Sequence, residues 1–332
     1  MGEQMLRTLW ILLTVTVSFA VAQVPSPVLL VLEKSDKSMA IVDPSTLKVI
    51  GRVPAGEDPH EIVASEDGKY AYITNYGAFQ NPQHTLSIAD LSTLKALPAV
   101  DLGALRAPHG IELVNGRVYF TAEGSKVIGR YDPATRHVDW TLGIGQNRTH
   151  MLVVSKDESR IFTANVNSDS ISILDRDQNG DASGWVETIV PVGRGPEGFD
   201  VSPDGKELWA ANSHDGTLSI VDLGARRVVQ TIDLQTKRTN RVKFSPDGKL
   251  VLISDLATGD LIILDSDSKK EVKRLHLGHG VAGILIVPDG SRAYVAVSPD
   301  NEVAVIDLKT LSVSGRIATG KGPDGLAWAV RK

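Results

Sequence analysis

Pro196-Glu-Gly-Phe-Asp-Val-Ser-Pro-Asp-Gly205 decides the fold, because it recurs. It returns as Thr239-Asn-Arg-Val-Lys-Phe-Ser-Pro-Asp-Gly248 and as Val281-Ala-Gly-Ile-Leu-Ile-Val-Pro-Asp-Gly290. Weaker copies begin at Pro59 (PHEIVASEDG), Pro108 (PHGIELVNG) and Thr149 (THMLVVSKDE), and a truncated one at Pro323 (PDGLAWAV). Successive starts lie 49, 41, 47, 43, 42 and 42 residues apart. A period of this size marks a repeat architecture.

Each copy continues in the same order. An alternating run follows the turn, as in Glu207-Leu-Trp-Ala-Ala-Asn212, and a polar loop such as Ser213-His-Asp-Gly216 comes next. A second run ends in aspartate, as in Leu218-Ser-Ile-Val-Asp222, and a last run, Val228-Val-Gln-Thr-Ile232, leads onward. Period-two alternation broken by Asp-Gly turns predicts four short antiparallel strands per repeat. Such a unit cannot bury both faces alone, and radial packing about an axis solves that problem. The expected fold is all-β, a seven-bladed β-propeller. Six blades are whole, and the strand after Pro323 completes a blade begun by Val28–Leu32, Ser38–Asp43 and Lys48–Val53. Closure of this kind removes the free sheet edge.

The first 22 residues read as a signal peptide. Leu9 to Ala22 is apolar, shorter than the ~20 residues a span needs, and ends Ala20-Val21-Ala22, a small-x-small cleavage pattern. An uncleaved anchor is the alternative. Residues 23–332 are then one domain, expected in the periplasm or secreted, monomeric and with no further membrane span. The chain has no cysteine, so disulfides and a lipidated N-terminal cysteine are excluded. Net charge is −5 and no basic cluster appears, which argues against nucleic acid as a partner.

The second strand reads Tyr70-Ala-Tyr-Ile-Thr-Asn75, Ile161-Phe-Thr-Ala-Asn165 and Leu208-Trp-Ala-Ala-Asn212. With the preceding Ser-Pro-Asp-Gly and the following Ile-x-Asp, this resembles the YVTN-repeat β-propeller family over nearly all of the mature chain. The resemblance implies the fold. Relatives include surface-layer and periplasmic propellers, lactonase-like enzymes and d1-haem propellers, so it does not choose an activity.

Candidate site residues come from the second position of each repeat, at one mouth of the channel: His60, His109, His150, Glu197, Asn240, Ala282 and Asp324, with Arg241 adjoining. Gly110, Gly198, Gly283 and Gly325 hold the third position, as a crowded innermost strand requires. His84, His214 and His279 fall in loops of the same rim, so six of the eight histidines gather there. Three readings stand. His60, His109, His150 and Glu197 would surround a transition metal such as Cu, Zn or Fe. Alternatively, His150 or Glu197 would move protons while Arg241 holds an anion. In the third, these groups only bind strand ends and channel water.

A further segment, Asp175-Arg-Asp177-Gln-Asn179-Gly180-Asp181, spaces oxygen donors like the opening of a calcium loop. The glutamate due at position twelve is displaced by one, Val186 preceding Glu187, and Asp175 is the strand-ending aspartate of every repeat, so a polar hairpin insertion is the preferred reading of these residues. No Gly-x-Ser-x-Gly elbow, phosphate loop or His-Glu-x-x-His occurs. The expected function is binding of a small molecule, metal or protein partner at the histidine-rich rim. The alternatives are an enzyme there, a lactonase-like hydrolase or metal-dependent oxidoreductase, or a d1-haem-binding protein.

Overall fold

The computed structural model describes residues 24–78, 80–177 and 184–332. The expected leader therefore lies outside the described residues. Seven antiparallel sheets of four strands each form the ring. The innermost strands are Pro59–Ala64, Pro108–Val114, Thr149–Val154, Pro196–Val201, Thr239–Phe244, Val281–Ile286 and Pro323–Ala329, here blades 1 to 7. Among the described residues the helical pieces are three single 3-10 turns, each between the second and third strands of a blade. Blade 7 is the expected composite: Pro323–Ala329 pairs with Val28–Glu33, with Val28 opposite Ala329.

The repeated residues have clear local tasks. In the Ser-Pro-Asp-Gly turn, Ser202 Oγ donates to Asp204 Oδ1 at 2.7 Å and accepts from Glu207 N at 2.9 Å. Ser245 and Asp247 repeat this arrangement. The asparagine that ends the second strand is buried, and its amide donates to two hydroxyls of the third strand. Asn212 reaches Thr217 and Ser219, both at 2.9 Å, and Asn165 reaches Ser170 and Ser172. The aspartate ending the third strand accepts backbone N–H groups of its own turn, as Asp222 does from Gly224 at 2.8 Å. The repeat motif is thus the hydrogen-bond wiring of each blade's turns.

All seven innermost strands carry a register shift at the same place. In blade 1 it falls between Pro59 and Ile62, and in blade 5 between Thr239 and Val242. Two residues oppose one there, as in a β-bulge. In blades 1 and 2 a second-strand threonine satisfies the bulge. Thr121 Oγ1 accepts from Gly110 N at 2.9 Å and donates to His150 O of the next blade at 2.7 Å. Thr74 does the same between Glu61 N and His109 O. Blades 1 and 2 thereby grip the following blade at its channel-mouth residue.

The close approach of neighbouring innermost strands explains the third-position glycines. A Cβ on Gly283 would stand 2.1 Å from Asp324 O, and one on Gly198 would stand 2.3 Å from Asn240 O. Backbone meets backbone, so no side chain can turn aside. Gly283→Ala should cost about 3 kcal/mol or more, the upper range for overpacking. Gly143→Ala, where a Cβ meets nothing within 4 Å, is the control and should stay within about 0.5 kcal/mol. Urea unfolding of both variants checks this, and equal midpoints would contradict it.

Candidate functional site

The bulged strands bring three imidazoles together in a row. His60 and His109 have ring centroids 4.3 Å apart, and His109 and His150 are 3.7 Å apart. A second set of residues meets them. The residue that follows Asn75, Ala122 and their equivalents near the end of each second strand bonds to the inter-blade loop, as Tyr76 N does to Asp58 O and Glu123 N to Ala107 O. In blades 7, 1 and 2 its side chain stands beside the second-position residue of the following blade. Lys34 Nζ lies 3.0 Å from His60 Nε2, and the ring of Tyr76 lies 5.3 Å from that of His109. Glu123 Oε1 contacts His150 Nδ1 directly.

Glu123 was not among the residues read from the repeat. It stands outside the second-position register, in a 3-10 turn over Glu123–Ser125. The signal that finds it is the equivalent position in every blade: Lys34, Tyr76, Glu123, Val166, Ser213, Leu256 and Ser298. Large polar side chains cluster in the first three of these, in the sector that also holds the three histidines.

One nitrogen from each of His109 and His150 and one oxygen of Glu123 all lie within 4.8 Å of one another. His109 is 1% exposed, and neither of its ring nitrogens has a hydrogen-bond partner. Burial, with His150, His60, Arg241 and Lys34 as neighbours, holds its pKa well below the usual imidazole range, so it is a neutral donor. For Glu123 burial raises the pKa, but His150, the Tyr76 hydroxyl (2.7 Å) and Arg148 outweigh it and keep the carboxylate ionised. Two imidazoles and a carboxylate form a donor set suited to zinc or iron.

The other expected residues are placed differently. His60 turns to Lys34, Asp58 (3.3 Å from Nδ1) and Asp324. Glu197 accepts from Asn240 Nδ2 at 2.7 Å and is not in the three-donor group. Burial works against its ionisation, but His150, Arg241 and Arg238 hold its pKa below the usual value. Arg241 pairs with Glu61, which belongs to blade 1, so the guanidinium of blade 5 reaches across the channel past two intervening blades. His214 and His279 occupy loops of the rim, and His279 binds Asp300 at 2.7 Å. His84 is in a strand instead of a loop, because blade 1 has an extended hairpin, Tyr70–Ala78 and Asn81–Asp90. Of the calcium candidates, Asp175 lies between Arg160 and Arg226, at 2.8 Å from each. Asp177 N bonds to Gly184 O, and Asn179 and Asp181 lie outside the described residues.

Deeper in the strands Glu112 accepts from Val154 N at 2.6 Å. Burial pushes its pKa up to about 7; the Val154 bond and Lys243 oppose this, and Asp200 adds to it. Unfolded, the same carboxyl titrates near 4.5. As pH rises from 4.5 the unfolded chain releases a proton that the folded chain keeps, so this group lowers stability until about pH 7 and then levels off. Glu112→Gln should therefore stabilise the protein by up to about 3 kcal/mol at pH 8 and change little at pH 4. Denaturant unfolding at the two pH values checks this; no gain at pH 8 would contradict it.

A cavity of about 540 Å³ opens beside Glu123, the one of the three donors in its lining, with Tyr76 and Arg148 next to it. The extended hairpin of blade 1 forms one wall through Ala78 and Pro82.

Comparison with known proteins agrees with this architecture. Residues 135–227 match the family model Lactonase, 7-bladed beta-propeller. A putative 6-phosphogluconolactonase from Bacteroides uniformis superposes with a TM-score of 0.74 at 18% identity, covering 92% of this chain and 100% of that one. Kuenenia stuttgartiensis hydrazine synthase gives 0.69 at 19% identity, over 81% of this chain and 89% of that one. The dihydro-heme d1 dehydrogenase NirN, in complex with DHE, gives 0.65 at 15% identity, over 90% and 74%. In sequence, antigen Lp49 of Leptospira interrogans is 26% identical over 94 residues, 28% of this chain. That match spans about a fifth of the relative's length, 21%. At these identities the shared property is the fold, a seven-bladed propeller.

Proposed function

We propose that this chain is an exported propeller that holds one divalent transition metal ion through His109, Glu123 and His150 and binds a small molecule in the adjoining cavity. The supporting observation is His109. A buried imidazole with both nitrogens unpartnered costs on the order of 1–3 kcal/mol, and a fold that keeps one beside two further donors has a use for it. A bound ion would supply Lewis acidity beside the cavity. The chain supplies the rest: Tyr76 donates to Glu123 and fixes its carboxylate, and the grip of Thr121 on His150 O fixes that strand. The leader-like start supports a site of action outside the cytoplasm. Among the described residues no helix is long and apolar enough to cross a membrane.

Two other readings have less behind them. Acid–base chemistry through His150, Glu197 and Arg241 would need Arg241 free for a substrate, and it is paired with Glu61. A haem needs an axial imidazole facing an open plane, whereas His109 and His150 face each other at 3.7 Å. The metal reading is tested by loading chelator-stripped protein with zinc, dialysing, and measuring metal by emission spectrometry. One equivalent is expected in the wild type and none in Glu123→Ala or His150→Ala. A metal-free wild type, or full retention in both variants, would overturn it.

A further inference from the structure

The cavity beside Glu123 has a distinct chemical character. Its walls carry Ala78, Pro82 and Ala107, which are apolar, and Asn147, Asn167 and Arg148, which are not. Arg148 Nε lies 3.5 Å from Glu123 Oε2, and its side chain is only 37% exposed. The guanidinium therefore stands at the edge of the donor group and on the cavity at once. About 540 Å³ is room for a small organic molecule, within the usual range for ligand sites.

Charge settles the kind of molecule. As ligands of a metal ion, Glu123 binds as a carboxylate and His109 and His150 as neutral imidazoles. Arg148 is cationic, and coordinated imidazoles are neutral. With a divalent ion the group then carries about two net positive charges at the end of a partly apolar pocket, by the same protonation rules. A neutral ligand leaves that charge uncompensated, whereas an anion cancels part of it.

We infer that the cavity takes an organic carboxylate, its head group set between the metal and Arg148 and its hydrocarbon part against Ala78, Pro82 and Ala107. This rests on the metal reading above. A planar carboxylate suits a single guanidinium fork flanked by two amides. A phosphoryl group, with three oxygens and more charge, would call for more cations than the one arginine lining this cavity.

The test uses zinc-loaded protein and calorimetric titration with three probes: hexanoate, hexanamide and inorganic phosphate. Zinc content is measured on the same samples. Hexanoate is expected to bind at least tenfold more tightly than either other probe. Arg148→Gln should weaken hexanoate at least tenfold when affinities are compared per zinc-loaded site, and Arg148→Lys should fall between. The inference is overturned if hexanamide or phosphate binds as well as hexanoate, if Arg148→Gln has no effect, or if metal-free protein binds hexanoate with undiminished affinity. A wild type that takes up no zinc is a different failure, that of the metal site itself. Zinc uptake without hexanoate binding sinks the carboxylate inference alone.

Discussion

Replacing His109 with phenylalanine should abolish metal binding and make the metal-free protein more stable. The two effects share one cause. His109 is buried between His60 and His150, and neither ring nitrogen finds a partner. In the metal-free state the fold carries the desolvation cost of two polar atoms and regains nothing for it. Phenylalanine keeps a flat ring between the two imidazoles without those atoms. The expected gain is about 1–2 kcal/mol, reduced by the strain of a slightly larger ring. Metal affinity should fall at least 100-fold, because a two-donor remnant holds a divalent ion poorly; that loss is about 2.7 kcal/mol. Thermal melts with and without zinc read both at once. Zinc should raise the midpoint of the wild type and leave that of the variant unchanged. A variant that loses stability in the metal-free state and still responds to zinc would contradict the account.

Arg241→Ala should be the most destabilising change at the channel, by about 3 kcal/mol or more at neutral pH. The guanidinium is buried and reaches Glu61 across the channel. Its loss leaves a carboxylate without its partner, which costs more than the pair itself contributes. It also removes a positive neighbour from Asp324 and Glu197. Both have pKa values held below normal although burial pushes the other way; Lys34, Arg241 and His60 act on Asp324, and His150, Arg241 and Arg238 on Glu197. Depressed carboxyl pKa values stabilise the folded state above the unfolded pKa and lose that contribution as pH falls through the folded value. The gap between wild type and Arg241→Ala should therefore be full from pH 7 down to the ordinary carboxylate range and narrow only below about pH 4. Unfolding across that range measures it. A constant gap would mean that Arg241 acts through packing alone.

The fold was legible because the repeat spells out its own wiring. Ser202 and Asp204 shape the turn, Asn212 ties the second strand to the third, and Asp222 holds the next turn. These side chains act within a few residues of their position, so sequence spacing reports them. The composite blade was legible for the same reason, since Pro323 carries the start of a repeat and Val28 its continuation.

The site was only half legible. His60, His109 and His150 share a repeat position, and alignment of the copies places them in adjacent blades. Their convergence depends on the bulge in each inner strand and on the hydroxyl grip between blades, which alternation does not reveal. Glu123 was hidden because it answers a residue of the following blade from outside the repeat motif. Glu197 shares the histidines' register, but Asn240 of the next blade binds its carboxylate. The extended hairpin of blade 1 moved His84 from an expected loop into a strand and gave the cavity a wall.

The central claim is a metal ion among His109, Glu123 and His150, and anomalous diffraction at the zinc edge from crystals of zinc-loaded protein tests it most directly. The account predicts one strong peak bonded to both imidazoles and to the Glu123 carboxylate, at about 2.0–2.2 Å. Ordered density for the three side chains with no anomalous peak between them, or a peak only at surface carboxylates, would contradict it.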